Sequence, residues 1–167
     1  YAAGLGLSLG LAVLCRPSEL VAIFIPLFWN VYNRESLINK WNQVRKHWLH
    51  ILVLIFMAFL GGLPQMAYWK YVTGDWIYYT YQNPGEGLDL LAPYTLKFLF
   101  SFRKGWFIYT PMMIFAVIGF YHLYKRQKIA FFAILIYSLL NLWVISSWTA
   151  WWYGGGSYSQ RAMLPSY

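Results

Sequence analysis

Acids are scarce in this chain. Only five of its 167 residues are Asp or Glu, and charged residues of both signs together make up 11%, against about 25% in an average soluble domain. That shortfall excludes an ordinary soluble surface. Cys15 is the only cysteine, so an intramolecular disulfide is excluded and the redox compartment stays undetermined. The three histidines, His47, His50 and His122, have no Cys/His cluster around them and make no metal set. No glycine-rich phosphate cradle and no Ser-His-Asp arrangement can be picked out. No basic stretch precedes the first apolar run, so no signal peptide is read. Tyr1 begins inside that run and Tyr167 falls in a loop, and the chain reads as a piece of a longer protein.

What is present is apolar: 60% of residues are hydrophobic and 22% aromatic, an integral-membrane composition. A span needs about 20 mostly apolar residues. Trp48 to Trp69, Trp106 to Tyr124 and Ile129 to Trp148 each satisfy this without one Asp, Glu, Lys or Arg. Pro111 falls in the first turns of the second run, where a missing N–H costs little. Gly61-Gly62 with Pro64 is expected to bend the first run near its far end. The opening region reads as two short helices, Tyr1 to Cys15 and Leu20 to Tyr32, around a polar turn at Arg16-Pro17-Ser18-Glu19. One helix kinked at Pro17 is the other possibility. Gly6-x-x-x-Gly10 has the spacing that lets another helix approach closely. The fold class is therefore all-α: a polytopic transmembrane bundle of about five membrane helices, two of them short, treated as one partial membrane domain over 1–167.

The basic excess is 13 against 5, a net charge of +8. Because the cations lie between apolar runs, membrane lipids are the expected partners and nucleic acid is not. Residues 30–47 carry Arg34, Lys40, Arg45 and Lys46 against Glu35 alone, and 125–128 carries Lys125, Arg126 and Lys128 with no acid. Both loops should be cytoplasmic. Counting crossings from there puts Arg16–Glu19, residues 70–105 and residues 149–167 on the opposite, trans side. Four of the five acids, Glu19, Asp75, Glu86 and Asp89, fall there too. The 70–105 loop holds Asn83-Pro84-Gly85-Glu86-Gly87, a turn signal. It continues into Ala92 to Phe102, whose only charge is Lys97, and a short helix lying in the interface plane is expected.

Arg103 and Lys104, at the end of that segment, break the positive-inside preference. They could snorkel to bulk lipid phosphates, or bind the phosphate of a lipid-linked substrate, the arginine as a bidentate clamp. Trp151 to Arg161 reads WWYGGGSYSQR. Its glycines let backbone approach a ligand, and Trp151, Trp152, Tyr153 and Tyr158 offer ring faces for a sugar or for an aromatic belt. Arg16 lies at a membrane-level turn, where an ion usually faces a cavity or a partner; Glu19 is a ready partner. Asp75, Glu86 and Asp89 are loop acids among which the sequence does not choose.

"LCRPSE" after a glycine-rich apolar run, "FSFRKGWFIYTP" and "WWYGGGSYSQRAMLP" together resemble the polytopic GT-C glycosyltransferases, in the bacterial branch related to protein mannosyltransferases and the lipid A aminoarabinose transferase. The resemblance covers nearly the whole chain, with Ser159 standing where glycine is usual. It implies an enzyme of the bacterial inner membrane that moves a sugar from a polyprenyl-phosphate-linked donor to a lipid, glycan or protein acceptor on the outer side. It assigns Arg103, Lys104, Arg161 and Arg16 to the donor phosphate, and Trp152, Tyr153, Gly155, Gly156, Ser157 and Tyr158 to sugar and loop contacts. The catalytic carboxylate of such enzymes usually lies in a trans-side loop upstream of the present residues, so this piece alone is expected to be inactive. No cofactor is implied, and a divalent metal is left open. A transporter or flippase for a lipid-linked or small substrate is the alternative, and a non-catalytic assembly subunit the third reading.

Overall fold

In a computed structural model the chain is helical, with no strand among the described residues, which are 1–78, 85–152, 159–160 and 162–163. It divides into two compact units, Tyr1–Thr80 and Tyr81–Tyr167. Two helices, Trp48–Thr73 and Lys128–Ser146, are long and apolar enough to cross a membrane.

In the first unit α1 spans Ala2–Cys15 and stops at Arg16, whose backbone is extended (ψ 111°) because Pro17 disfavours the helical region for its predecessor. The chain resumes at once as a 3-10 helix, Pro17–Ile23, and passes into α2, Phe24–Phe28. The polar turn is thus one residue wide, and Ser18 and Glu19 already belong to the second piece. After α2 comes α3, Arg34–Lys46, then α4, Trp48–Thr73, with only His47 between them. α4 rises about 39 Å at about 1.5 Å per residue. It remains one helix through Gly61-Gly62 and Pro64 and ends on Gly74, whose φ of 86° suits glycine. Lys70 Nζ donates to the Gly74 carbonyl, covering an end that would otherwise lack a donor.

α1 packs along α4 through its small residues. A Cβ on Gly6 would strike the Leu54 carbonyl, one on Gly10 the Ala58 carbonyl, and one on Gly61 would sit 2.9 Å from the Gly10 Cα. Because the numbers rise together in both helices, the two run parallel. Gly6, Gly10 and Gly61 are also the unit's buried residues among those described, while Ile55 and Phe56 are 55% and 60% exposed. Small residues inside and large apolar ones outside is the inverse of a soluble core.

The second unit opens with α5, Thr95–Phe100, followed by α6, Trp106–Tyr109, α7, Met113–Arg126, and α8, Lys128–Ser146. The apolar run from Trp106 to Tyr124 therefore does not form the single span expected of it. Thr110 leaves the helical region (φ −134°, ψ 66°), as a residue before proline tends to. The next amides, of Met113, Ile114 and Phe115, bond only three residues back, at 3.0 Å each. α7 by itself rises about 21 Å at about 1.5 Å per residue, short of the roughly 30 Å of bilayer hydrocarbon. Pro111→Ala is expected to join α6 to α7 and to slow amide hydrogen exchange from Thr110 to Phe115. Unchanged exchange there would mean that the break has another cause.

Only Gln127 separates α7 from α8, and Phe131 packs edge-on to Tyr124 at 5.0 Å. The expected interfacial helix over Ala92 to Phe102 shrinks to the six residues of α5. Upstream, Asp89 Oδ1 accepts the Leu91 and Ala92 amides at 3.3 and 3.2 Å, holding that stretch as a turn up to Pro93. Nor is α5 free of protein. Phe98 is fully buried and clusters with Ile145 of α8 and Met163.

Candidate functional site

The site residues that can be placed in the second unit are built on two turns. The first is Ser101–Gly105. Ser101 leaves α5 in an extended conformation, and its hydroxyl accepts the Arg103 amide at 3.1 Å. The Gly105 amide donates to the Ser101 carbonyl at 2.6 Å, and a Cβ on Gly105 would lie 2.5 Å from that same oxygen. Any other residue at 105 would force the turn open, which explains the glycine of "FRKG". One helical turn later, Tyr109 Oη donates to the Phe102 carbonyl at 2.6 Å. The turn is thereby fastened from both sides, leaving Arg103 exposed and Lys104 half-buried.

The second group comes from the residues after α8. Trp151 packs against the Phe98–Ile145–Met163 cluster. Trp152 places its ring under Arg103, with the guanidinium carbon 3.7 Å from the ring centroid. Such a contact is worth about 0.5–1 kcal/mol when exposed and about 2 kcal/mol when dry. It also holds the guanidinium against the ring face. Gln160, 4% exposed, donates from Nε2 to the Lys104 carbonyl at 2.7 Å. Ser159 exchanges a 2.7 Å hydrogen bond with Thr110 Oγ1. Residues before and after the triple glycine are therefore both tied to the Arg103-Lys104 turn and the break behind it.

Ser159 has a φ of +53°, in the left-handed region that glycine enters at no cost. That is the position where the resembled family usually carries glycine. A non-glycine residue there loses about 1–2 kcal/mol, and the Thr110 hydrogen bond offsets part of it.

A third set of bonds holds the preceding loop on the end of α8. Thr149 Oγ1 accepts the Gly87 amide and donates to the Gly85 carbonyl, both at 2.9 Å, and the Thr149 amide donates to the Gly87 carbonyl at 2.9 Å. Asp89 and Tyr94 amides donate to the Ser147 and Ser146 carbonyls at 2.7 and 2.9 Å. Thr149→Val keeps the shape but removes both hydroxyl bonds, so a loss of about 1–3 kcal/mol is expected. It should appear as a lower melting temperature in detergent and faster exchange at Gly87. A melting temperature equal to that of the unaltered protein would show that the Thr149 hydroxyl is dispensable.

Among the residues expected from sequence, Arg103, Lys104 and Trp152 are brought together. Arg16 belongs to the other unit, half-buried at the end of α1, with the Glu19 amide on its carbonyl at 2.9 Å. Tyr153, Gly155, Gly156, Ser157, Tyr158 and Arg161 lie outside the described residues, as do Asn83 and Pro84. No group of His, Cys, Asp or Glu among the described residues could hold a metal ion. Sequence reasoning overlooked Gln160, Thr110 and Thr149, and gave Ser159 no role. Their signal was their short polar character beside otherwise aromatic stretches, and it becomes specific only once their partners, distant in sequence, are known. Compared with family models, with curated proteins and with solved structures, the chain matches none.

Proposed function

We propose that the chain belongs to a membrane glycosyltransferase that moves a sugar from a polyprenyl-phosphate donor to a lipid, glycan or protein acceptor at the outer face of a bacterial inner membrane. α4 and α8 would be its full spans, with α1, the Pro17–Phe28 segment and α6–α7 as shorter membrane segments and 30–47 and 125–128 cytoplasmic. Support for the membrane comes from two sources: the two long apolar helices, and, in the first unit, the burial of Gly6, Gly10 and Gly61 while Leu52, Ile55 and Phe56 are exposed.

The observation that carries the reading is the Arg103 guanidinium stacked on Trp152, with the Lys104 backbone tied to Gln160. A guanidinium held in place by a ring is suited to grip two oxygens of one phosphate. As the bond from sugar to phosphate breaks, negative charge grows on the leaving phosphate, and cations fixed beforehand stabilise it more than they stabilise the donor. Trp152 would then have two roles, orienting the arginine and bounding the sugar. Arg161, close in sequence to Gln160, supplies a further cation in this reading.

The helix break over Thr110–Met112 favours the second reading, a transporter or flippase, because interrupted membrane helices are common at transport sites. The apolar runs Trp48–Trp69 and Ile129–Trp148 contain no Asp, Glu, Lys or Arg, the charged residues that transport sites usually carry. Vesicles containing the full-length protein separate the two. Sugar appearing on an outer-face acceptor supports the transferase. Movement of labelled lipid-linked sugar between leaflets without transfer would replace it with the transporter.

A further inference from the structure

α3 has no function in the reading above, yet it is a well-formed helix. Ser36 Oγ accepts the amides of Tyr32 and Asn33 at 2.9 and 2.8 Å, which fixes its first turn. Among the helices it meets only α4, to which His47 joins it. At about 100° per residue, Leu37, Ile38, Trp41 and Val44 fall within roughly 120° of one another, and Glu35, Asn39, Asn42, Gln43 and Lys46 occupy the opposite side. The apolar stripe is uncovered: Leu37, Ile38 and Trp41 are 48%, 52% and 57% exposed. Arg34 and Arg45 stand at its two ends and Lys40 on its flank. The Arg45 guanidinium lies 5.1 Å from the Trp41 ring centroid, its charge held at the border of the apolar surface.

We infer that α3 lies in the plane of the membrane on the side where α4 begins, as a docking element for anionic lipid. Its stripe would be immersed at the boundary between acyl chains and headgroups, with Arg34, Lys40 and Arg45 on headgroup phosphates. Two features commit it to lipid rather than to a protein partner. The first is continuity: a single residue separates α3 from a helix long enough to cross the bilayer, which leaves its stripe at the level where hydrocarbon begins. The second is charge: four cations and one acid match a leaflet rich in anionic lipid. An apolar stripe rimmed by long cationic side chains also suits that boundary, because the stems bury while the charges stay wet. The inference rests on the membrane placement of α4 and is independent of sugar transfer.

The test uses spin labels on the full protein, in a Cys15→Ser background, reconstituted in vesicles of phosphatidylcholine with or without phosphatidylglycerol. Labels on Leu37→Cys, Trp41→Cys and Val44→Cys should collide with dissolved oxygen and be shielded from a water-soluble nickel chelate. Those on Asn39→Cys, Gln43→Cys and Lys46→Cys should do the reverse. The stripe should sink deeper when phosphatidylglycerol is present, and that gain should vanish in the combined Arg34→Gln, Lys40→Gln, Arg45→Gln variant. Labels on Ile55→Cys and Phe56→Cys in α4 serve as reference. If these meet oxygen while the stripe meets the chelate, or is shielded from both as under a protein partner, the inference about α3 falls alone. If the α4 labels also meet the chelate, the membrane placement falls with it. A depth indifferent to phosphatidylglycerol overturns the anionic-lipid part.

Discussion

Gly10→Leu is expected to unseat α1 from α4, whereas Gly62→Leu, only one position from Gly61, should leave the pair intact. At Gly10 a Cβ meets the Ala58 carbonyl, and the Gly10 backbone is itself in contact with Gly61. These are backbone atoms of another helix, so no rotamer relieves the overlap and the two axes must separate. Overpacking typically costs about 1–3 kcal/mol, and a clash with main chain belongs at the upper end of that range. Separation also forfeits the close contact along the whole pair, since Gly6 is bound to the same register four residues earlier. Gly62 has nothing within 4 Å of its Cβ position, and a leucine there adds apolar surface to an already apolar exterior. Thermal unfolding in detergent measures the contrast. Equal melting temperatures for the two variants would show that the glycine contact does not hold the unit together.

In the full-length enzyme, Arg103→Ala is expected to lower sugar transfer by about two to three orders of magnitude, the usual effect of removing one donor to a developing oxyanion. Protein level and membrane insertion should be unchanged, because Arg103 is exposed and its loss leaves the Ser101–Gly105 turn with its own hydrogen bonds. Arg103→Lys should restore little. An ammonium is a point charge that can neither grip two phosphate oxygens nor lie flat on Trp152 as a guanidinium does. Trp152→Leu, which keeps the charge but removes its platform, should fall between the two, and Arg161→Ala should resemble Arg103→Ala. Undiminished transfer by correctly inserted Arg103→Ala protein would refute the phosphate role. Arg103→Lys as active as the unaltered protein would retain the charge requirement and remove the bidentate geometry.

Several elements were legible in the amino-acid order because they depend on neighbours in sequence. The lengths of the apolar runs predicted α4 and α8. The spacing of Gly6 and Gly10 predicted a close helix partner, and the basic residues at 125–128 predicted a turn, where the structure breaks the helix at Gln127. Proline was read with less success at position 111, where it was expected to cost little and instead marks a break. Pro64 lies inside the continuous α4. The same residue can end a helix or be carried by one, because the lost hydrogen bond and the ring clash are offset only where surrounding packing favours a continuous helix.

The apolar character, the helical class and the lengths of the two candidate spans were determined by the sequence alone, because hydropathy and helix length are sums over adjacent residues. Which helix α1 rests against, that it runs parallel to α4, that Arg103 lies on Trp152, and that Ser159 takes a left-handed backbone beside Thr110 were decided only by the tertiary structure. Each of these joins residues about 50 positions apart. Such contacts are chosen by steric fit and hydrogen-bond geometry between surfaces that local spacing does not specify.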